Sequence, residues 1–262
     1  MTNPFSLDGR ICVVTGGSGR LGANFAAALG RAGAKVAVLD LAAEEHRSAD
    51  HISLAADVTS RADLLAALAV IRAHFGAVPD ALVHAAALDS PPDAPAAENG
   101  PFETYPEDSW DRVMAVNAKG SFLAAQVFGG AMAEAGRGSI VLVGSIYGVV
   151  SPDQSLYAYR RQDGQTFFKP VAYAASKSAL YNLCRYLATY WGPRGVRVNM
   201  LTPGGVFDNQ DPRFLSGYQA RVPLGRMARP DEYDGAVVFL CSDAASYMTG
   251  ADLVMDGGWT AW

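Results

Sequence analysis

Short runs of consecutive apolar residues recur along the chain, separated by longer stretches in which apolar positions return every three or four residues. The runs at 11–15, 35–39, 52–56, 81–85, 139–143, 196–201 and 253–255 are short and mostly apolar, the pattern of strands covered on both faces. Between them, 21–32, 61–75, 110–132, 173–191 and 231–241 have helical length and a high alanine content. Repeated strand–helix order of this kind predicts an α/β fold, a single doubly wound domain over 1–262 with a parallel β-sheet flanked by helices on both faces. Ligands of such a sheet bind outside the carboxyl ends of its strands.

Two stretches break the alternation. Residues 89–106 are rich in proline and glycine, and 148–170 are polar, aromatic and mildly basic. Loops of that length inside a compact domain are usually functional or disordered, so 148–170 is expected to form an inserted active-site lid and 204–222 a substrate loop. A net charge of -5 works against nucleic acid and anionic membranes, because no cluster of Lys and Arg exists to neutralise phosphates. A small molecule remains as the expected partner. No stretch approaches the length of a membrane span, and residues 1–10 lack the basic flank and apolar run of a secretory signal. The cysteines Cys12, Cys184 and Cys241 are odd in number and lie among apolar neighbours, as buried reduced thiols of a cytoplasmic protein do. The four histidines show no metal-ligand spacing, so no metal is expected.

Chemistry enters at the first strand, which runs into Gly16-Gly17-Ser18-Gly19-Arg20-Leu21-Gly22 and then an alanine-rich helix. Glycines there let the backbone turn sharply and approach a pyrophosphate, which a helix N-terminus holds with free N–H groups and its dipole. The strand–turn–helix setting is the one expected of the phosphate loop of a Rossmann domain. The next strand ends at Asp40, where a carboxylate would accept hydrogen bonds from the adenosine ribose and repel a 2′-phosphate, so NAD is expected rather than NADP. A plain turn-capping role for Asp40 is the alternative, and Arg20 could in principle reach a 2′-phosphate.

Tyr173 and Lys177 lie four residues apart at the start of a helix, on one face. A neighbouring cation favours the phenolate, which would bring Tyr173 toward working pH as a general base. Ser145 ends the preceding strand, at the carboxyl edge where the ligand site belongs.

Taken together these pieces resemble the short-chain dehydrogenase/reductase family over almost the whole chain. Thr15-Gly16 with Gly22, Asp57-Val58, Asn117-Ala118-Lys119-Gly120, Ser145, Tyr173 with Lys177, Pro203-Gly204 and Asp256-Gly257-Gly258 occur in that family's order. The resemblance implies that Tyr173 is the acid/base, that Ser145 steadies the substrate oxygen, that Lys177 lowers the tyrosine pKa and holds the nicotinamide ribose, and that Asn117 supports a proton-relay water. It also implies that Gly16, Ser18, Arg20, Leu21 and Gly22 hold the pyrophosphate, Asp57, Val58 and Ala85 border the adenosine half, and Pro203, Gly204 and Val206 line the nicotinamide. Two positions depart from the family pattern. Arg20 stands where a second glycine is common, and the usual N-N-A-G is His84-Ala85-Ala86-Ala87, with His84 expected to be a structural substitute.

The 148–170 insertion must lie over the site, since Ser145 and Tyr173 tether its ends. Tyr147, Tyr157, Arg160, Arg161 and Lys169 are its candidate substrate contacts, with rings and cations suited to sugar faces and carboxylates; a solvated lid is the alternative. The Ser145-Ile146-Tyr147-Gly148 stretch and the ending Asp256-Gly257-Gly258-Trp259-Thr260-Ala261-Trp262 resemble the branch acting on sugars, polyols and sugar acids. The expected activity is hydride transfer between NAD and a secondary alcohol or ketone. The rivals are an NADPH ketoreductase of 3-oxoacyl substrates, disfavoured by Asp40, and a catalytically silent NAD-sensing protein, disfavoured by the intact Ser–Tyr–Lys set. The family is commonly tetrameric through the helices carrying Tyr173 and Asn117, so a homotetramer is expected.

Overall fold

The computed structural model describes residues 3–89 and 96–262. Eight strands form one sheet: β1 (Ile11–Thr15), β2 (Lys35–Asp40), β3 (His46–Arg47), β4 (His51–Ala55), β5 (Ala81–His84), β6 (Gly138–Val143), β7 (Val196–Pro203) and β8 (Asp252–Met255). Their order is β3-β4-β2-β1-β5-β6-β7-β8, and every pairing is parallel except β3 with β4. Chain direction along the sheet reverses between β1 and β5, which opens the ligand crevice there. Each apolar run becomes a strand within two residues of its predicted ends. The two-residue β3 was not legible, because both its side chains are exposed and leave no apolar signal.

Alternate residues of each strand face opposite layers. Ile11 and Val13 pack with α2 (Arg61–Phe75), α3 (residues 107–134) and α4 (Val171–Trp191). Cys12 and Val14 pack instead with α1 (Arg20–Arg31) and the later helix Asp234–Cys241. The long α3 contains two π-helical turns, Ala115–Lys119 and Ala125–Gly129, a form that recurs at functional sites; the first carries Asn117. None of the described helices is long and apolar enough to cross a membrane.

The 148–170 insertion differs most from expectation. It contains the turn Gln154–Tyr157 and the helix Ala158–Gln162, and Leu156, Tyr157 and Phe167 are buried against Phe214, Tyr218 and Trp259. Phe214 and Tyr218 belong to α5 (Pro212–Gln219), so the insertion and the loop after β7 share one small core. A polar-looking segment becomes a packed cap because its few large apolar residues converge on a single cluster. Residues 90–95 of the proline-rich 89–106 stretch lie outside the described residues.

Candidate active site

The glycine loop after β1 is drawn tightly onto its surroundings. Gly16 has φ +67°, and a Cβ there would sit 2.6 Å from the Ala86 backbone; one on Gly22 would meet the Gly16 carbonyl at 2.1 Å. Only glycine fits either position. The first turn of α1 carries no side-chain cap and no acidic residue. Its N–H groups and dipole are thus free to face an anion, as a pyrophosphate cradle requires.

Asp40 closes the far side of this cradle, with its carboxylate accepting Ser18 N–H at 3.0 Å and Ala42 N–H at 3.2 Å. It thus does cap the turn, and its remaining lone pairs still lie at the end of β2, where a ribose belongs. Arg20 opens the first turn of α1. Its guanidinium pairs with Asp208, from the loop beyond β7, and so spans the crevice. Asp57 turns inward to accept Thr59 N–H and Oγ1–H, both at 2.8 Å, while Val58 is buried against Gly120. Ala85 N–H reaches Thr15 O, Gly204 N–H reaches Met255 O, and Val206 bridges to Ala228, which together set the floor of the crevice. These residues fit a nicotinamide dinucleotide.

At the carboxyl edge, Ser145 caps the turn Ile146–Val149, its Oγ accepting Tyr147 N–H at 3.2 Å. The Ser145 hydroxyl lies near enough to the Tyr173 phenol to favour the phenolate. The Lys177 ammonium donates to Val143 O at 2.8 Å and lies 5.9 Å from the Tyr173 ring centroid. One further residue holds the group in place: Tyr181, whose hydroxyl donates to Ser145 O at 3.0 Å and contacts Thr202 Oγ1 at 2.7 Å. Thr202 in turn donates to Asp252. Tyr181 lies eight residues after Tyr173, a little over two turns along α4.

Burial decides the charges. The Tyr173 side chain is only half-buried, but its phenol lies deep enough that desolvation, reinforced by the Asp89 charge, pushes it above the ordinary tyrosine range. Desolvation pulls the Lys177 ammonium down to about 8, which Asp89 partly resists. Within the protein alone, burial outweighs the lowering effect of Ser145, so the phenol lies above its ordinary value. Asn117 is fixed by hydrogen bonds of its own. Its side-chain amide accepts Leu88 N–H at 2.7 Å and donates to Leu88 O at 3.0 Å and Ser176 Oγ at 2.9 Å, so it clamps the loop after β5 to α4.

The candidate substrate residues separate. Tyr147 lines the site, its hydroxyl pushed up to about 12 by burial, while Tyr157 belongs to the core of the cap. Arg160 donates to Gln165 at 2.8 Å and stacks on Phe167; Arg161 donates to Phe167 O and Gln154 O. These two cations thus lie against the insertion itself and not against Tyr173, because carbonyls and rings within their own loop are nearer than the reacting centre. Lys169 alone of the three cations meets Tyr173, 5.1 Å from its ring centroid.

The family profile described as enoyl-(acyl carrier protein) reductase matches residues 18–260. The chain is 37% identical to D-threitol dehydrogenase of Mycolicibacterium smegmatis, over 98% of this chain and 95% of that protein. It is 36% identical to the L-tagatose-forming galactitol 2-dehydrogenase of Cereibacter sphaeroides, over 98% of each. Among solved structures, a short-chain dehydrogenase from Leptospira borgpetersenii with bound NAD+ superposes with TM-score 0.86 at 31% identity, covering 99% of this chain and 96% of that one.

Proposed function

The chain belongs to the short-chain dehydrogenase/reductase family, enzymes of nicotinamide-dependent CH–OH chemistry, and from that premise we propose that it interconverts a secondary alcohol of a polyol and the corresponding ketone with NAD. One observation carries the reading: Ser145, Tyr173 and Lys177 converge at the carboxyl edge of the sheet, beside a glycine cradle shaped for a dinucleotide. A sensing protein would have no use for that convergence.

In the oxidation direction Ser145 Oγ–H donates to the substrate oxygen and Tyr173 takes its proton as general base. Lys177, next to the phenol and held to Val143 O, supplies positive charge that favours the phenolate. Tyr181 and Thr202 fix the Ser145 backbone, so the oxygen is held in one place during proton transfer. A nicotinamide held in the crevice would supply the acceptor for the hydride that leaves the carbinol carbon as the proton passes to Tyr173. Asp40 and the pairing of Arg20 with Asp208 support NAD over NADP, since one adds negative charge at the ribose and the other occupies the nearest guanidinium.

Exposed Phe122, Tyr186 and Tyr190 on α3 and α4 support assembly through these helices, as in a homotetramer. The three free cysteines are all buried, which suits a reducing cytoplasm. The test is a screen of polyols, sugars and sugar acids with NAD and NADP, followed by the absorbance of the reduced cofactor. NAD-dependent oxidation of at least one polyol is expected; its absence across the panel would overturn the proposal.

A further inference from the structure

Lys169 and Lys177 stand four residues before and four after Tyr173, and both ammonium groups lie over its ring, 5.1 and 5.9 Å from the centroid. Lys177 is placed by α4. Lys169 precedes that helix and its Pro170 cap, so helical spacing cannot put it there. The insertion does. The Gln154 side-chain amide accepts Lys169 N–H at 2.9 Å and donates to Lys169 O at 3.0 Å, as a neighbouring strand would. Arg161 then ties the carbonyl of Gln154, at 3.0 Å, to that of Phe167, at 2.9 Å. The Lys169 side chain, 9% exposed, ends on the Asp89 carboxylate at 2.5 Å, and Asp89 is itself 58% exposed. Asp89 follows β5, so two segments eighty residues apart meet above the reacting phenol.

We propose that the Asp89–Lys169 pair is the substrate clamp of this site and that it selects neutral polyols over sugar acids. This rests on the oxidoreductase reading above. Neighbouring hydroxyls offer one oxygen to accept from an ammonium and one O–H to donate to a carboxylate, so a polyol satisfies both members of the pair. A substrate carboxylate would compete with Asp89 for the same ammonium and meet its like charge at close range. The long insertion then serves to carry Lys169, with Arg161 as a positioning residue.

The experiment uses the full-length enzyme with threitol, galactitol and the aldonic acids of the same chain lengths. If wild type oxidises no polyol, the functional reading fails before the clamp is addressed. Given polyol activity, Lys169→Met is expected to lower kcat/KM on the polyol roughly tenfold to a hundredfold, the loss of one charge-assisted contact, mainly through KM and with NAD affinity kept. Asp89→Asn is expected to raise the aldonate-to-polyol ratio of kcat/KM about tenfold by removing the repulsion. Asp89 is exposed, so this variant reports even if Lys169→Met fails to fold. Polyol kinetics within about twofold of wild type in Asp89→Asn, with an unchanged aldonate ratio, would overturn the proposal, as would a wild-type preference for aldonates.

Discussion

Acidification from pH 7.5 to 4.5 is expected to cost the fold about 2.5 kcal/mol through His84 alone. The ring is 2% exposed at the end of β5, with Nδ1 2.8 Å from Thr15 Oγ1 and Nε2 without a hydrogen-bond partner among the described residues. Desolvation first, and the Lys177 charge second, pull its pKa down to about 3. The unfolded chain has an ordinary histidine, near 6.5. Between those two values the unfolded state binds a proton that the native state refuses, so stability falls as pH falls through the window. Each full unit inside it costs about 1.4 kcal/mol, and integrating over the range, with partial protonation near 6.5, yields the figure above. His84→Asn removes the titration while keeping a polar group that can meet Thr15. Urea unfolding of both proteins at pH 7.5, 6.5, 5.5 and 4.5 measures the difference. His51 and the exposed carboxylates titrate in both proteins and cancel in it. The stability gap should move in favour of the variant by about 2.5 kcal/mol across the series. A change below about 0.5 kcal/mol would refute the view that His84 is held neutral by burial, since a shifted pKa cannot exist without its linked free energy.

Tyr173→Phe keeps the ring and removes the proton-transfer group, so turnover should fall by about a thousandfold or more while NAD affinity, read by fluorescence titration, stays close to wild type. Substantial residual turnover would remove the acid/base assignment. Asp40→Ala should narrow the preference for NAD over NADP, because repulsion of a 2′-phosphate and the ribose hydrogen bonds go together. An unchanged ratio of kcat/KM for the two cofactors would show that Asp40 serves only to cap Ser18 and Ala42. Lys177, with its ammonium lowered to about 8 by burial, should impose a loss of NAD affinity as pH rises through that value, and Lys177→Met should abolish the step.

Periodicity alone determined a good deal about this protein. Short, mostly apolar runs located all the strands of the sheet but the two-residue β3, because strands covered on both faces are rich in apolar residues, whereas β3 buries nothing. The spacing of Tyr173 and Lys177 put them on one face of α4, since the helix itself fixes that relation. The glycines at 16 and 22 were readable for a similar reason: the close approach they permit is made to their own loop and the strand end beside it. Tertiary structure decided the partners of the charged and polar side chains. Arg20 spans the crevice to Asp208, Asn117 clamps Leu88, Arg160 and Arg161 turn into the cap, and of three cations in one insertion only Lys169 reaches the phenol. A long polar side chain has many rotamers and leaves no periodic trace, so its partner is chosen by whichever segment the fold brings within about 3 Å. Asp89, eighty residues from Lys169, is such a segment, and only the packed fold could make the two neighbours.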